Sequence, residues 1–137
     1  RGALLIIDAD HFKKINDSFG HLTGDDALLL IARAIKRSVR AGDVLGRIGG
    51  EEFCAFLPGA GEQEARHIAE RIRREVELIR FRPVDERTVP LTVSIGGALF
   101  SEGASVSELM RSADRRLYEA KHGGRNLAII DSLPRAA

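Results

Sequence analysis

The sequence predicts an α/β (α+β) domain in which a mixed central β-sheet is flanked by helices. Three observations carry this expectation. Ala3-Leu4-Leu5-Ile6-Ile7 is an unbroken apolar run that stops at Asp8, the pattern of a strand buried on both faces. Gly49-Gly50 sits between two further short apolar runs, which reads as a hairpin. Helical periodicity fills the stretches between the apolar runs. The resulting order, β-α-α-β-β-α-β-α-β, calls for a mixed sheet covered by helices.

Each element has its own signal. Phe12 to Phe19 is a short helix closed by Gly20. Thr23 with Asp26 has the spacing of a capping arrangement, and Ala27, Leu30, Ile31, Ala34, Ile35 and Val39 follow at helical spacing. Val44-Leu45-Gly46-Arg47-Ile48 and Phe53-Cys54-Ala55-Phe56-Leu57 are the hairpin strands, with Pro58-Gly59 as the stop. Ala65, Ile68, Ala69, Ile72, Val76 and Ile79 form the apolar stripe of a charged helix from about Glu62 to Ile79. Phe81 to Arg87 reads as a loop. Val89 to Phe100 is a long strand with Val93, Ile95 and Ala98 facing inward, and Gly96-Gly97 marks a bulge or a close backbone approach. Ser105 with Glu108 is a capping box for a last helix carrying Leu109, Met110, Ala113, Leu117 and Ala120, stopped by Gly123-Gly124. Leu127-Ala128-Ile129-Ile130 is the final strand, so the domain spans residues 1–131 and 132–137 form a tail.

The totals narrow the function. A chain of 137 residues suits one domain with one core. A net charge of +1 argues against nucleic acid or a membrane surface as partner, so anion binding must be local. The lone Cys54 cannot form an internal disulfide, which is consistent with a reducing, cytoplasmic setting. No apolar run approaches the roughly 20 residues of a membrane span, and no signal peptide is visible. The chain opens on Arg1 and enters a strand at once, which reads as a domain excised from a longer protein.

Four groups of residues could carry chemistry. Gly49-Gly50-Glu51-Glu52 places adjacent carboxylates on a tight turn, a costly arrangement unless something positive neutralises them. Paired glycines suit a two-residue turn with positive φ, and their bare backbone admits a bulky ligand. With Asp8 at the end of the first strand, the acids would make a hard oxygen set suited to Mg²⁺ and a polyphosphate. An exposed turn and a strand-end cap read equally well at this point, and Asp10 reads as a cap. His11-Phe12-Lys13 opens a helix whose free N–H groups favour anions, while Lys121 and Arg125 flank a Gly-Gly turn, either aimed at one anion or complementing a helix C-terminus. Asn16 with Asp25 has the donors and acceptors to read a guanine edge, or is ordinary turn chemistry. Arg40-Ala41-Gly42-Asp43 could hold a phosphate and a base, or be a salt-bridged turn.

These motifs together resemble the GGDEF family of diguanylate cyclases. The resemblance rests on Asp8-Ala9-Asp10-His11-Phe12-Lys13-Lys14-Ile15-Asn16-Asp17, Phe19-Gly20-His21 and Gly24-Asp25. It continues through Arg47-Ile48-Gly49-Gly50-Glu51-Glu52-Phe53, the signature in its Glu-for-Asp form, Val93-Ser94-Ile95-Gly96, and Ala113-Asp114 onward to Lys121, Gly124, Arg125 and Asn126. It covers nearly the whole chain and implies the nucleotide-cyclase, palm-like GGDEF fold. It also implies condensation of two GTP into cyclic di-GMP and two pyrophosphates across a homodimer of such domains. Carried over, Asp8, the Ala9 carbonyl and Glu51 hold Mg²⁺ or Mn²⁺, and Glu51 and Glu52 are the required acid pair. Asn16 and Asp25 read guanine. The Phe12 and Lys13 backbone, Gly49, Gly50, Lys121 and Arg125 bind substrate. Arg40 and Asp43, with Arg71, resemble the family's inhibitory product site, which implies feedback by cyclic di-GMP. An N-terminal sensory or regulatory domain is expected upstream. A non-catalytic GGDEF domain that binds GTP or cyclic di-GMP is the alternative, and a cyclase of relaxed purine choice is a third reading.

Overall fold

The computed structural model describes residues 1–85 and 87–132. Its elements run β1 (Gly2–Ala9), α1 (Phe12–Phe19), α2 (His21–Ser38), β2 (Val44–Arg47), β3 (Glu52–Pro58), α3 (Glu62–Glu77), β4 (Val93–Phe100), α4 (Val106–His122) and β5 (Ala128–Ser132). This is the element order read from the sequence. The five strands form one sheet in the order β2-β3-β1-β4-β5. β1 pairs antiparallel with both β3 and β4, and β5 pairs parallel with β4, so the sheet is mixed.

β1 is central and every one of its residues is buried. Its side chains alternate between two cores because a strand has period two. Ala3, Leu5, Ile7 and Ala9 join α1, α2 and α3 on one face. Leu4 and Ile6 meet Leu109, Ala113 and Leu117 of α4 on the other. Each fully buried Leu or Ile contributes about 1.5–3 kcal/mol relative to exposure, which is why the apolar run announced this strand. Ala98 lies on the α4 face, opposite Val93 and Ile95. All three are buried, as expected, and they divide between two faces because both faces of β4 are covered.

Three local expectations change, and one is settled between its two alternatives. α2 begins at His21 rather than behind Thr23, because Gly20 (φ 90°) ends α1 and starts α2 in one residue. Thr23 thus falls inside the helix. The long strand begins at Val93, since Pro90 lacks the N–H a ladder needs and Val89 turns back to bridge Phe81. The Gly49-Gly50 turn is not a two-residue turn. Ile48 N–H donates to the Glu52 carbonyl at 2.9 Å, leaving Gly49, Gly50 and Glu51 as the tip, and neither glycine takes positive φ. Gly96-Gly97 makes no bulge, as the β1–β4 register runs through both. It is instead a close approach: a Cβ on Gly96 would stand 2.1 Å from the Leu117 nitrogen and 2.2 Å from the Ala113 carbonyl. The Ser105 cap holds as read, its hydroxyl accepting from Glu108 N–H at 3.1 Å. β5 runs through Ser132, and of the expected tail, residues 133–137 lie outside the described residues. Among the described residues, no helix is long and apolar enough to cross a membrane.

Candidate active site

The site forms where β1 and the hairpin end together. Asp8 pairs in register with Glu52 across the β1–β3 ladder, and the Ala9 N–H donates to the Glu51 carbonyl at 3.1 Å. The hairpin therefore carries its acid pair to the buried end of β1, as the sequence required if the strands were neighbours. Asp8 is only 3% exposed. Among the described residues, Lys121 is the cation that answers it, its Nζ on α4 sitting 2.8 Å from Asp8 Oδ2. The close seat of α4 on Gly96 brings the last turn of that helix within reach.

The acids repel one another. Burial, then the Asp8 charge, pushes the Glu51 carboxyl above its ordinary value, with Lys121 partly opposing. Burial again leads for Glu52, followed by its hydrogen bond to Asp8 and the Asp8 charge. Among the described residues, no group of three His, Cys, Asp or Glu is already drawn together around a cation position. The donor set nevertheless fits a hard dication: carboxylate oxygens with excess negative charge, beside a helix N-terminus suited to phosphates.

That N-terminus belongs to α1. His11 stands at its N-cap in the left-handed region (φ 55°) with no side-chain cap, and the first N–H groups of a helix have no intrahelical acceptors. Lys13 and Lys14 are exposed. Asn16, further along α1, lies against Gly24 of α2, where a Cβ would stand 1.8 Å from Asn16 Oδ1. That oxygen is buried and, among the described residues, has no hydrogen-bond partner. Asp25 follows on the exposed side of α2. The α1–α2 turn at Gly20 thus brings Asn16 beside the residue preceding Asp25.

The hairpin glycines serve as open backbone. A Cβ on Gly49 or Gly50 would meet nothing within 4 Å. The tip is held by Arg47, whose guanidinium donates to the carbonyls of Gly49 (3.2 Å) and Gly50 (2.5 Å). Arg47 belongs to the signature motif, but nothing in the motif's spacing as read above gives it a task. Its position two and three residues before those carbonyls is the signal that could have found it.

Asp10 was expected to cap a helix and does not. Its carboxylate is buried and accepts from Ser94 Oγ (2.7 Å), Thr92 Oγ1 (2.8 Å) and the Asn126 N–H (2.9 Å). Arg125 is exposed just past the end of α4.

The Arg40–Asp43 turn stands apart from the acids. Arg40 Nη2 lies 2.8 Å from Asp43 Oδ1, and Nη1 lies 2.7 Å from Glu64 Oε1. Burial pushes the Asp43 carboxyl up, but hydrogen bonds from the Arg40 side chain and backbone outweigh it and hold the carboxyl low. Arg40 and Arg71 line one open groove of about 960 Å³ with Arg1, Glu62, Glu64 and His67. Asp43 anchors Arg40 from outside that lining.

Comparison with known proteins bears on the family and the fold. The family described as "Diguanylate cyclase, GGDEF domain" matches residues 1–127. Diguanylate cyclase DosC of Escherichia coli (strain K12) is 42% identical over 124 residues, covering 90% of this chain and 27% of that protein. The probable diguanylate cyclase DgcT of the same strain is 42% identical over 131 residues, covering 93% of this chain and 28% of its own length. This chain therefore spans little more than a quarter of either relative. Among solved structures, the coiled coil and GGDEF domain of DgcB from Caulobacter crescentus, in complex with c-di-GMP, superposes with a TM-score of 0.89 at 33% identity, covering 95% of this chain and 69% of that one. SiaD from Pseudomonas aeruginosa, in complex with its activator SiaC, gives a TM-score of 0.89 at 36% identity, covering 95% of this chain and 50% of that one. With its mixed sheet, its acid-bearing hairpin against β1 and these likenesses along its length, the chain belongs to the GGDEF-domain family of diguanylate cyclases.

Proposed function

We propose that this domain, residues 1–131, condenses two GTP molecules into cyclic di-GMP and releases two pyrophosphates. The observation that carries the reading is the pairing of Asp8 with Glu52 at the end of a buried strand, with Glu51 beside them and Lys121 on Asp8. Such a cluster of like charges is costly for stability alone and suits a site that receives a cation and a nucleotide.

Asp8, the Ala9 carbonyl and Glu51 would hold Mg²⁺ or Mn²⁺, with Glu52 as the second acid of the pair. The bound ion would neutralise charge on the phosphates and favour ionisation of the attacking 3′-hydroxyl. The chain's own residues do the rest. The N–H groups of Phe12 and Lys13 at the start of α1, with Lys121 and Arg125, grip the phosphates. The bare backbone at Gly49 and Gly50 lets the nucleotide lie against the hairpin. The unpartnered Oδ1 of Asn16 is an acceptor for a guanine N–H, with Asp25 as its companion. One GTP's 3′-hydroxyl then attacks the other's α-phosphate, and pyrophosphate leaves. Each domain holds one GTP, so a second copy must face it, and positioning of the pair supplies much of the acceleration.

The groove lined by Arg40 and Arg71 is assigned to cyclic di-GMP as feedback inhibitor, with Asp43 holding Arg40. The relatives are longer than this chain, consistent with further domains, and we place a sensory or regulatory domain upstream. A cytoplasmic location follows from the need for GTP, and neither nucleic acid nor membrane is a partner of this domain.

The test is direct. Purified domain at high concentration, given GTP and Mg²⁺, yields cyclic di-GMP at a rate that rises more than linearly with protein. Nucleotide binding without product under dimer-forming conditions would mean a binding module. Equal use of ATP and GTP would mean a relaxed purine site.

A further inference from the structure

We propose that Asp10 and Asn126 act as a paired anchor that positions Arg125 in the phosphate clamp. The inference rests on the reading of Arg125 as a phosphate ligand and adds what holds it in place. After α4 the chain passes through Gly124 (φ 122°) and then puts two non-glycine residues in the left-handed region, Arg125 (φ 64°), which rarely enters it, and Asn126 (φ 49°), which enters it more readily but as a single residue. Side chains rarely adopt that region, and consecutive occupancy is strained. Something outside the turn must hold it.

The structure supplies holds on both sides. Arg125 N–H donates to the Ala120 carbonyl at 3.1 Å, tying the turn to the helix. The Asn126 N–H donates to Asp10 Oδ2 at 2.9 Å. Asp10 is itself fixed, being 6% exposed and hydrogen-bonded to Thr92 and Ser94 of the neighbouring β4 segment. The Asn126 side chain reaches the other way. Its Oδ1 accepts from Arg73 Nη1 at 3.0 Å, and its Nδ2 donates to Glu77 Oε2 at 2.5 Å, both on α3. Asn126 thus joins the end of β1 to α3 across the turn. The Arg125 side chain takes part in none of these bonds and stands exposed. A turn strained, clamped on both sides and leaving one guanidinium outward is built to present that guanidinium.

The test compares wild type with Asp10→Asn, Asn126→Ala, Asn126→Gly and Arg125→Ala. Asp10→Asn keeps the shape but turns an acceptor group partly into a donor facing Asn126 N–H. Asn126→Gly removes the side-chain holds and also the strain. Two ligands are titrated without turnover: α,β-methylene GTP by calorimetry and guanosine by chemical-shift perturbation. Asp10→Asn and Asn126→Ala should weaken the triphosphate analogue about tenfold and leave guanosine within twofold. Either change combined with Arg125→Ala should be no worse than Arg125→Ala alone, the signature of residues acting through one another. Asn126→Gly should lose the same affinity while melting no earlier than Asn126→Ala. Equal loss for both ligands, or additive loss with Arg125→Ala, overturns the assignment in favour of a general structural role. An analogue that binds wild type, fails on Arg125→Ala and is untouched by Asp10→Asn and Asn126→Ala overturns the anchor alone. Failure of wild type to bind the analogue overturns the phosphate-clamp reading and the anchor with it.

Discussion

Asp8 and Glu52 face each other across the β1–β3 ladder, and Lys121 places its ammonium 2.8 Å from Asp8 and offsets only part of their combined charge. The consequence is a domain whose acid pair stores repulsion until a ligand arrives.

Glu52 should therefore cost stability in the metal-free domain. Its folded-state carboxyl is raised, by burial first and then by Asp8. A raised carboxyl contributes stability that is fully present below its unfolded value of about 4.3 and is lost as pH rises through the folded value. Glu52→Gln should then melt roughly 2–4 °C higher than wild type at pH 7 without metal. The advantage should vanish near pH 4 and shrink on adding Mg²⁺. A variant no more stable than wild type at neutral pH would contradict this, and cyclase activity should be lost in the same variant.

Lys121 competes with any cation for Asp8. Removing it as Lys121→Met leaves a buried carboxylate unpaired, at a cost of about 1–3 kcal/mol. The freed oxygen should bind Mn²⁺ in the absence of nucleotide about three- to tenfold more tightly, roughly 1 kcal/mol, by electron paramagnetic resonance titration. Weaker Mn²⁺ binding in the variant would show that Lys121 supports the cation rather than standing in for it. Turnover of GTP should fall in either case, since the phosphates lose a partner.

Gly24 makes room for Asn16. A Cβ there would stand 1.8 Å from Asn16 Oδ1 and 3.1 Å from Phe12 Cζ, so Gly24→Ala must turn the amide away. A lost hydrogen bond to the base, about 1 kcal/mol, should raise KM for GTP roughly fivefold or more. Alanine in a helix is worth up to about 1 kcal/mol over glycine, so the melting temperature need not fall. An unchanged KM would remove Asn16 from base reading.

Asp43 and Arg40 separate stability from feedback. Asp43 has a side chain 1% exposed and is held low by Arg40 despite its burial. A lowered carboxyl contributes stability that is present above its unfolded value of about 3.9 and is lost as pH falls through the folded value. Asp43→Asn should cost about 1–3 kcal/mol at pH 7, a deficit that closes once wild-type Asp43 is itself protonated. Arg40→Ala should remain active and lose at least tenfold in sensitivity to cyclic di-GMP. Full activity with undiminished product inhibition would sink the assignment of this groove.

The element order, the central buried strand and the acid-bearing hairpin were determined by the sequence alone. Apolar runs, helical stripes and Gly/Pro stops are local signals, and Ala3–Ile7 ending at Asp8 left little choice about β1. Motif order determined the family for the same reason, since it lies along the chain. Tertiary structure decided what depends on partners distant in sequence. It turned Asp10 from an expected cap into an acceptor for Thr92, Ser94 and Asn126, contacts separated by more than 80 residues that no periodicity encodes. It placed Lys121 on Asp8 and set Ala98 on the opposite face from Val93. It gave the hairpin a three-residue tip clasped by Arg47, where local turn chemistry suggested two. Propensity acts between near neighbours in the chain, whereas hydrogen bonds between buried groups are settled only when strands and helices have taken their places.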